Sequence, residues 1–196
     1  MIDDTLNFIC DQVSAYLTLK LDLATGGPIQ TGNISTLQDN GAAGSANHEI
    51  YSTFLSLVNI EEDRISESQK KYRRHGDTII NENPKIHLNL YILFAVNLTD
   101  YTESLKRLSL IVQFFQYRNV FTPLNSPTLP AGTEKLICDL ITLSFQDLNN
   151  LWGILGSKYL PSVMYKVRMI KISDEFTEGT GPLIKEIVIN DQNALS

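Results

Sequence analysis

Residues 85–98 read KIHLNLYILFAVNL, and this stretch decides the fold. His87, Asn89 and Tyr91 alternate with Ile86, Leu88, Leu90 and Ile92, the period-two pattern of a strand. From Phe94 through Ala95 and Val96 the run becomes apolar on both sides. Such a strand must be covered on both faces, which places it in the middle of a sheet.

Downstream, Thr99-Asp100 caps a helix, with Glu103 spaced as a capping-box partner. Tyr101, Leu105, Leu108, Val112 and Phe115 mark its expected buried face, and Leu110, Ile111 and Phe114 widen it. A loop with Pro123, Pro127 and Pro130 leads to a strand over 134–144, with Leu136, Cys138, Leu140 and Thr142 on one side. Ser144 caps a short helix whose expected face is Phe145, Leu148, Trp152 and Leu155, and Gly156 ends it. Residues 162–172 alternate again: Val163, Tyr165, Val167 and Met169 against Met164, Lys166, Arg168 and Ile170.

Upstream, residues 2–20 carry Ile2, Leu6, Ile9, Val13, Tyr16 and Leu17 at helical spacing, behind Asp3 and Asp4. Residues 22–47 read as loop around a short strand at 29–34, and 49–60 as a β-rich strand. Residues 61–84 are polar and carry five of the 16 Lys and Arg residues between Arg64 and Arg74. With no apolar period, this segment is expected to be mobile or to order on a partner. Residues 173–182 read as an acidic, glycine-rich tether before a terminal strand at 183–190. The expected organisation is α+β: one mixed or antiparallel sheet backed by helices over residues 1–172, then a flexible tether and C-terminal extended arm over 173–196.

The chain has 196 residues, 43% apolar, with a formal charge of −6. That length suits one domain burying about 70% of its unfolded surface. The apolar content excludes wholesale disorder. Two cysteines cannot make a disulfide framework and point to a reducing compartment, as expected of a protein made and folded inside a cell. No apolar run is long enough to span a bilayer, and the acidic start is unlike a basic export signal. The acidic balance disfavours nucleic acid as a partner.

The chemical inventory is sparse. His48, His75 and His87 lie on different elements without metal-ligand spacing. Cys10 and Cys138 have no cationic neighbour in sequence and read as buried structural thiols. Gly26-Gly27-Pro28 lacks the residues of a phosphate loop, and no serine sits in a nucleophile elbow. No catalytic residue, cofactor or metal ligand is expected. Aromatic and polar residues gather instead at Phe114-Phe115-Gln116-Tyr117 and around Trp152 and Tyr159. They suit either core packing or an oligomer interface, and the sequence alone leaves both open.

The motifs resemble a known family. The stretch from His87 to Ala95 is followed in order by Tyr101 and Leu105, then Ile111-Val112-Gln113-Phe114-Phe115-Gln116, Val120-Phe121-Thr122, Ser126-Pro127 and Glu134-Lys135-Leu136. The block LWGILGSKYLPS over 151–162, running into Tyr165-Lys166-Val167-Arg168, completes the match. This pattern resembles the cap, or tail-terminator, proteins of extracellular contractile injection systems such as antifeeding prophages and virulence cassettes. The resemblance implies a phage tail-terminator-like fold and a structural, non-enzymatic protein. It implies a homohexameric ring that ends the inner tube and sheath at their distal end, with the inner tube and sheath proteins as partners. It also implies a place in a released or membrane-docked particle without insertion into the membrane.

On that reading the expected oligomer, tube or sheath contacts are Phe115, Gln116, Phe121, Trp152, Tyr159, Tyr165 and Arg168. The basic Lys70, Lys71, Arg73 and Arg74 join them, as do Ile184, Ile187 and Ile189 of an arm expected to add a strand to a neighbour. The alternative function is a small-ligand or peptide-binding module using the loops at 22–47 and 61–84.

Overall fold

The computed structural model describes residues 2–22, 29–34, 53–63, 72–75, 78–81, 87–156, 158–171 and 180–182. At 72–75, 78–81, 170–171 and 180–182 it describes the backbone alone. In chain order the elements are α1 (Ile2–Leu21), β1 (Ile29–Thr31), β2 (Thr53–Glu62), β3 (Tyr72–His75), β4 (Thr78–Asn81) and β5 (His87–Val96). There follow α2 (Tyr101–Tyr117), β6 (Val120–Phe121), β7 (Thr133–Ile141), α3 (Phe145–Ile154), β8 (Ser162–Lys171) and β9 (Thr180–Pro182).

Six strands form one mixed sheet in the order β1-β2-β5-β8-β7-β6. Only β1 and β2 run parallel; the other neighbours are antiparallel. β5 is central, as its two-sided apolar run requires. Leu90, Ile92 and Phe94 face the larger core, with α1, α2 and the inner residues of β7 and β8. Leu93 and Ala95 face a second core with Phe54, Met164 and, from α3, Trp152. Helices therefore cover both faces of the sheet.

The caps follow the sequence. Asp100 accepts from the Thr102 backbone N–H at 2.8 Å, and Ser144 from that of Asp147 at 3.1 Å. Glu103 departs from the expected capping box and pairs with Lys106 instead. α1 ends at Asp22 with φ 51, a left-handed position that a short polar side chain tolerates. Gly156 takes φ 64 just beyond α3.

The larger core is an aromatic stack across elements. Phe115 lies 4.3 Å from Tyr165 and 5.8 Å from Phe94 between ring centroids, and Phe8 meets Phe121 edge-on at 5.4 Å. Arg118 lies over Phe121 and donates to the Ser126 hydroxyl at 2.7 Å, tying the loop after β6 to the end of α2.

Three expectations need correction. The 61–84 segment contains a hairpin: β3 and β4 pair antiparallel from Tyr72↔Asn81 to His75↔Thr78. Gly76-Asp77, a two-residue hairpin connection, was the signal for it. Thr180–Pro182, expected within the tether, pairs with β4 as β9 to complete a separate three-stranded sheet. The expected strand at 183–190 lies outside the described residues. Finally, Tyr101, Leu105 and Phe145, expected on buried helix faces, are exposed, while Ser104 and Ile111 take the inner positions of α2.

β2 carries a bulge. Leu57 pairs with Ile92 and Asn59 with Tyr91, so Val58 is one residue more than its partner strand provides. Beyond it, Asn59 and Glu61 share the sheet face of Tyr91 and Asn89.

Candidate functional site

The sheet face on the α3 side has two ends. At one, Phe54, Leu93, Ala95 and Met164 lie beneath Trp152. At the other, the register aligns polar side chains across four strands. One row runs Asn59, Tyr91, Lys166 and Asp139; the next runs Glu61, Asn89 and Arg168. Of these, Glu61, Asn89, Asp139, Lys166 and Arg168, together with Glu62 and Asp63 at the end of β2, line a concavity of about 460 Å³.

Its interactions are mostly between neighbouring strands. The Tyr91 hydroxyl donates to Glu61 Oε2 at 2.5 Å, and that bond raises the phenol's pKa. Lys166 Nζ lies 5.6 Å from the centre of the Tyr91 ring. Arg168 donates to Asp139 at 2.6 Å. Beneath them Asn89 is 3% exposed, and its Oδ1 has no hydrogen-bond partner. A buried acceptor left unmet costs about 1–3 kcal/mol, so this arrangement is one that an incoming donor improves. His87, two residues earlier on the same face, has a buried Nε2 that is likewise without a partner.

Among the described residues no three His, Cys, Asp or Glu side chains gather as a metal site. Burial pushes the Cys10 and Cys138 thiols up, which keeps them protonated and poor nucleophiles. Among the described residues no helix is long and apolar enough to cross a membrane.

The expected contact residues scatter. Phe115, Phe121 and Tyr165 are buried within the chain's own core, where they offer no surface to a neighbour; this corrects their reading as direct contacts. Burial also pushes the Tyr165 phenol up to about 12. Trp152 is buried under α3, with its ring 5.7 Å from that of Tyr159, which is 62% exposed. Gln116 is exposed at the end of α2. Among the described members of the set, Arg168 alone borders the polar concavity. Arg73 and Arg74 lie on β3, one of the two edge strands of the small sheet. Lys70, Lys71, Ile184, Ile187 and Ile189 lie outside the described residues.

The sequence reading missed Glu61, Asn89, Lys166 and Asp139 as a group. The alternation of His87, Asn89 and Tyr91 showed one row. Its partners on other strands depend on register and on the bulge at Val58. Other exposed apolar side chains lie at the two ends of α3 (Phe145, 93% exposed, and Ile154), in the loop after β6 (Leu124) and at the end of α2 (Tyr117).

Comparison with known proteins places the chain. No curated protein matches the sequence. A cryo-EM structure of the sheath/tube terminator of an extracellular contractile injection system, PVC, in its extended state, matches with a TM-score of 0.63 at 13% identity. That match covers 100% of this chain and 65% of the terminator. The cryo-EM structure of the anti-feeding prophage cap, a tube terminating cap, matches with a TM-score of 0.60 at 13% identity. It covers 96% of this chain and 59% of the cap. The chain thus spans roughly three fifths of the length of these structures and shares their α+β fold. The family model described as the Pvc16 N-terminal domain matches residues 8–186, and the chain belongs to that family.

Proposed function

We propose that the chain is a structural cap of a contractile injection system. Six copies close into a ring on the distal end of the inner tube and the last sheath layer, and the ring ends growth of both polymers. The observation that carries this reading is the family match over residues 8–186, joined to a fold shared with two terminators along nearly all of the chain.

The physical argument concerns open interfaces. A polymer built head to tail leaves its last layer ready for another, and growth continues until a mismatched surface occupies it. A cap needs a rigid plate, contacts to its neighbours and no further docking face. The two-sided sheet supplies the plate. Gln116, Tyr159 and Arg168 are surface candidates for neighbour contacts, and the basic residues Lys70, Lys71, Arg73 and Arg74 are further candidates. Trp152, Phe115, Phe121 and Tyr165 hold the plate's shape from within. Residues 183–191, carrying Ile184, Ile187 and Ile189, are an arm that adds a strand to an adjoining subunit. No bond is made or broken in this role.

Electron microscopy of particles from a strain lacking the gene tests termination. Overlong or ragged tubes are expected, and particles of normal length overturn the reading. Light scattering on the purified chain reads whether the ring forms before docking. Removing residues 183–196 leaves β9 in place and tests the arm: normal sheath and length in such particles reject it.

A further inference from the structure

α3 presents an outer surface that no other described element covers. Of its ten residues only Trp152 is fully buried, with Leu148 and Leu151 half-buried beside it. A helix this short draws its stability from packing rather than from its own backbone bonds. On the side away from the sheet lie Gln146, Asn150 and Gly153, all exposed. Large apolar side chains, Phe145 and Ile154, stand exposed at its two ends.

Gly153 sharpens the question. It lies in the last turn of α3, and its φ is outside the left-handed region that favours glycine. A Cβ placed there would meet no atom within 4 Å. A side chain at such a position stabilises a fold, because the unfolded chain then has less freedom to lose. Among the described residues nothing calls for glycine here. Its bare backbone suits the close approach of a second surface.

The chain carries a matching surface on its other side. Between the end of α1 and the outer side of α2 lies a groove of about 430 Å³, with Leu21, Leu105 and Leu110 among its walls. Lys106 is the one charged residue lining it, and Asp147 is the one charged residue of α3. Lys106 pairs with Glu103 of its own helix, an exposed contact that a partner's carboxylate can share. The groove belongs to the helix layer over the larger core, whereas α3 covers the smaller one. One copy therefore cannot join the two surfaces, but neighbouring copies can. A closed ring uses two different patches, one on each side of every copy.

We propose that the outer side of α3 docks against the α1–α2 groove of the adjacent copy. Phe145 enters the groove, Gly153 lets α3 lie close to the partner's helices, and Asp147 stands at the rim toward Lys106. This rests on the reading of the chain as a ring subunit, and it names the apolar contact that joins one copy to the next.

The first test contrasts the free chain with the particle. In the full chain, diluted until light scattering reads a monomer, Gly153→Gln is expected to raise the urea midpoint. Phe145→Ala is expected to leave that midpoint unchanged. In particles each is expected to lower the amount of bound cap at least about tenfold, as the loss of a central anchor does. A lower urea midpoint in Gly153→Gln would mean that the fold itself needs the glycine, and it overturns the proposal. Normal cap content with either variant does so too.

The second test is cross-linking in particles. Gln146→Cys and Ser109→Cys are placed together in one chain and treated with a short bismaleimide; the native Cys10 and Cys138 are buried. Multimers of the cap are expected from the pair and none from either variant alone. Absence of multimers from the pair, dimers from Gln146→Cys alone, or capture of the tube or sheath protein instead overturns the contact. If gene deletion disturbs particle length while Phe145→Ala caps normally, the contact fails and the cap stands. If deletion leaves length normal, the cap reading fails and the contact with it.

Discussion

The two ends of one sheet face, built from the same strands, have opposite characters. Where α3 lies across it, Phe54, Leu93, Ala95 and Met164 pack under Trp152. Further along β5 and β8, past Tyr91, the same pleat presents Asn89, Lys166 and Arg168 in an open recess. Strand geometry is common to both ends, so the difference lies in the covering helix. The covered end supplies stability, and the open end keeps polar groups that a neighbour can meet.

Breaking the covered end should have the largest effect. Trp152→Ala is expected to cost about 3–5 kcal/mol in urea unfolding, the usual loss for a buried Trp or Phe. A loss below about 1 kcal/mol would mean that α3 does not seal this end. At the open end the sign reverses. Asn89→Leu is expected to raise stability by up to about 1–3 kcal/mol, because it removes a buried oxygen without a donor. A fall in stability would show that Asn89 is satisfied in the free chain.

The opposite face of the sheet provides a control through pH. The folded chain keeps protons on Cys138 and Tyr165 that the unfolded chain releases above about pH 9 and pH 10. In that range the native state binds more protons, so stability falls as pH rises. The full contribution is present below the unfolded values and is lost toward the folded ones, for Tyr165 at about 12. Each group contributes a slope of about 1.4 kcal/mol per pH unit within its window. Urea midpoints measured from neutral to alkaline pH should decline, and Cys138→Ala should lessen the earlier part of the decline, to which Cys10 also contributes. The smallest effect is expected at the rim of the recess. Arg168 and Asp139 are 47% and 42% exposed, so Arg168→Ala should change stability by less than about 1 kcal/mol. A larger loss would make their ion pair part of the plate's framework.

Much of the fold was legible because it is local. The apolar run through Phe94 announced a central strand, Asp100 and Ser144 announced helix starts, and the alternation from Val163 to Met169 assigned both faces of β8. Helix phase was harder. Tyr101 and Leu105 fit a helical stripe, yet the stripe on α2 is wide enough to permit a rotation, and the sheet selected Ser104 and Ile111. Phe145 fits the spacing of Trp152 but stands at the first turn of α3, where it is exposed. The recess was illegible for another reason. Its residues come from four strands separated by up to about a hundred positions, and alternation on one strand does not reveal what lies opposite on the next. The recognised block from Leu151 to Arg168 pointed to the family without indicating where on the sheet its polar residues meet.

The extra residue at Val58 puts two successive side chains of β2, Val58 and Asn59, on the α3 side of the sheet. Deleting that single codon would leave Leu57 opposite Ile92, bring Asn59 directly after it opposite Tyr91 and keep Glu61 opposite Asn89, so the open end of the plate would stay charged. In an unbulged strand the same loss would exchange the two faces, because side chains alternate residue by residue. The bend is thus a spare link: without it the strand straightens, and the recess keeps its lining.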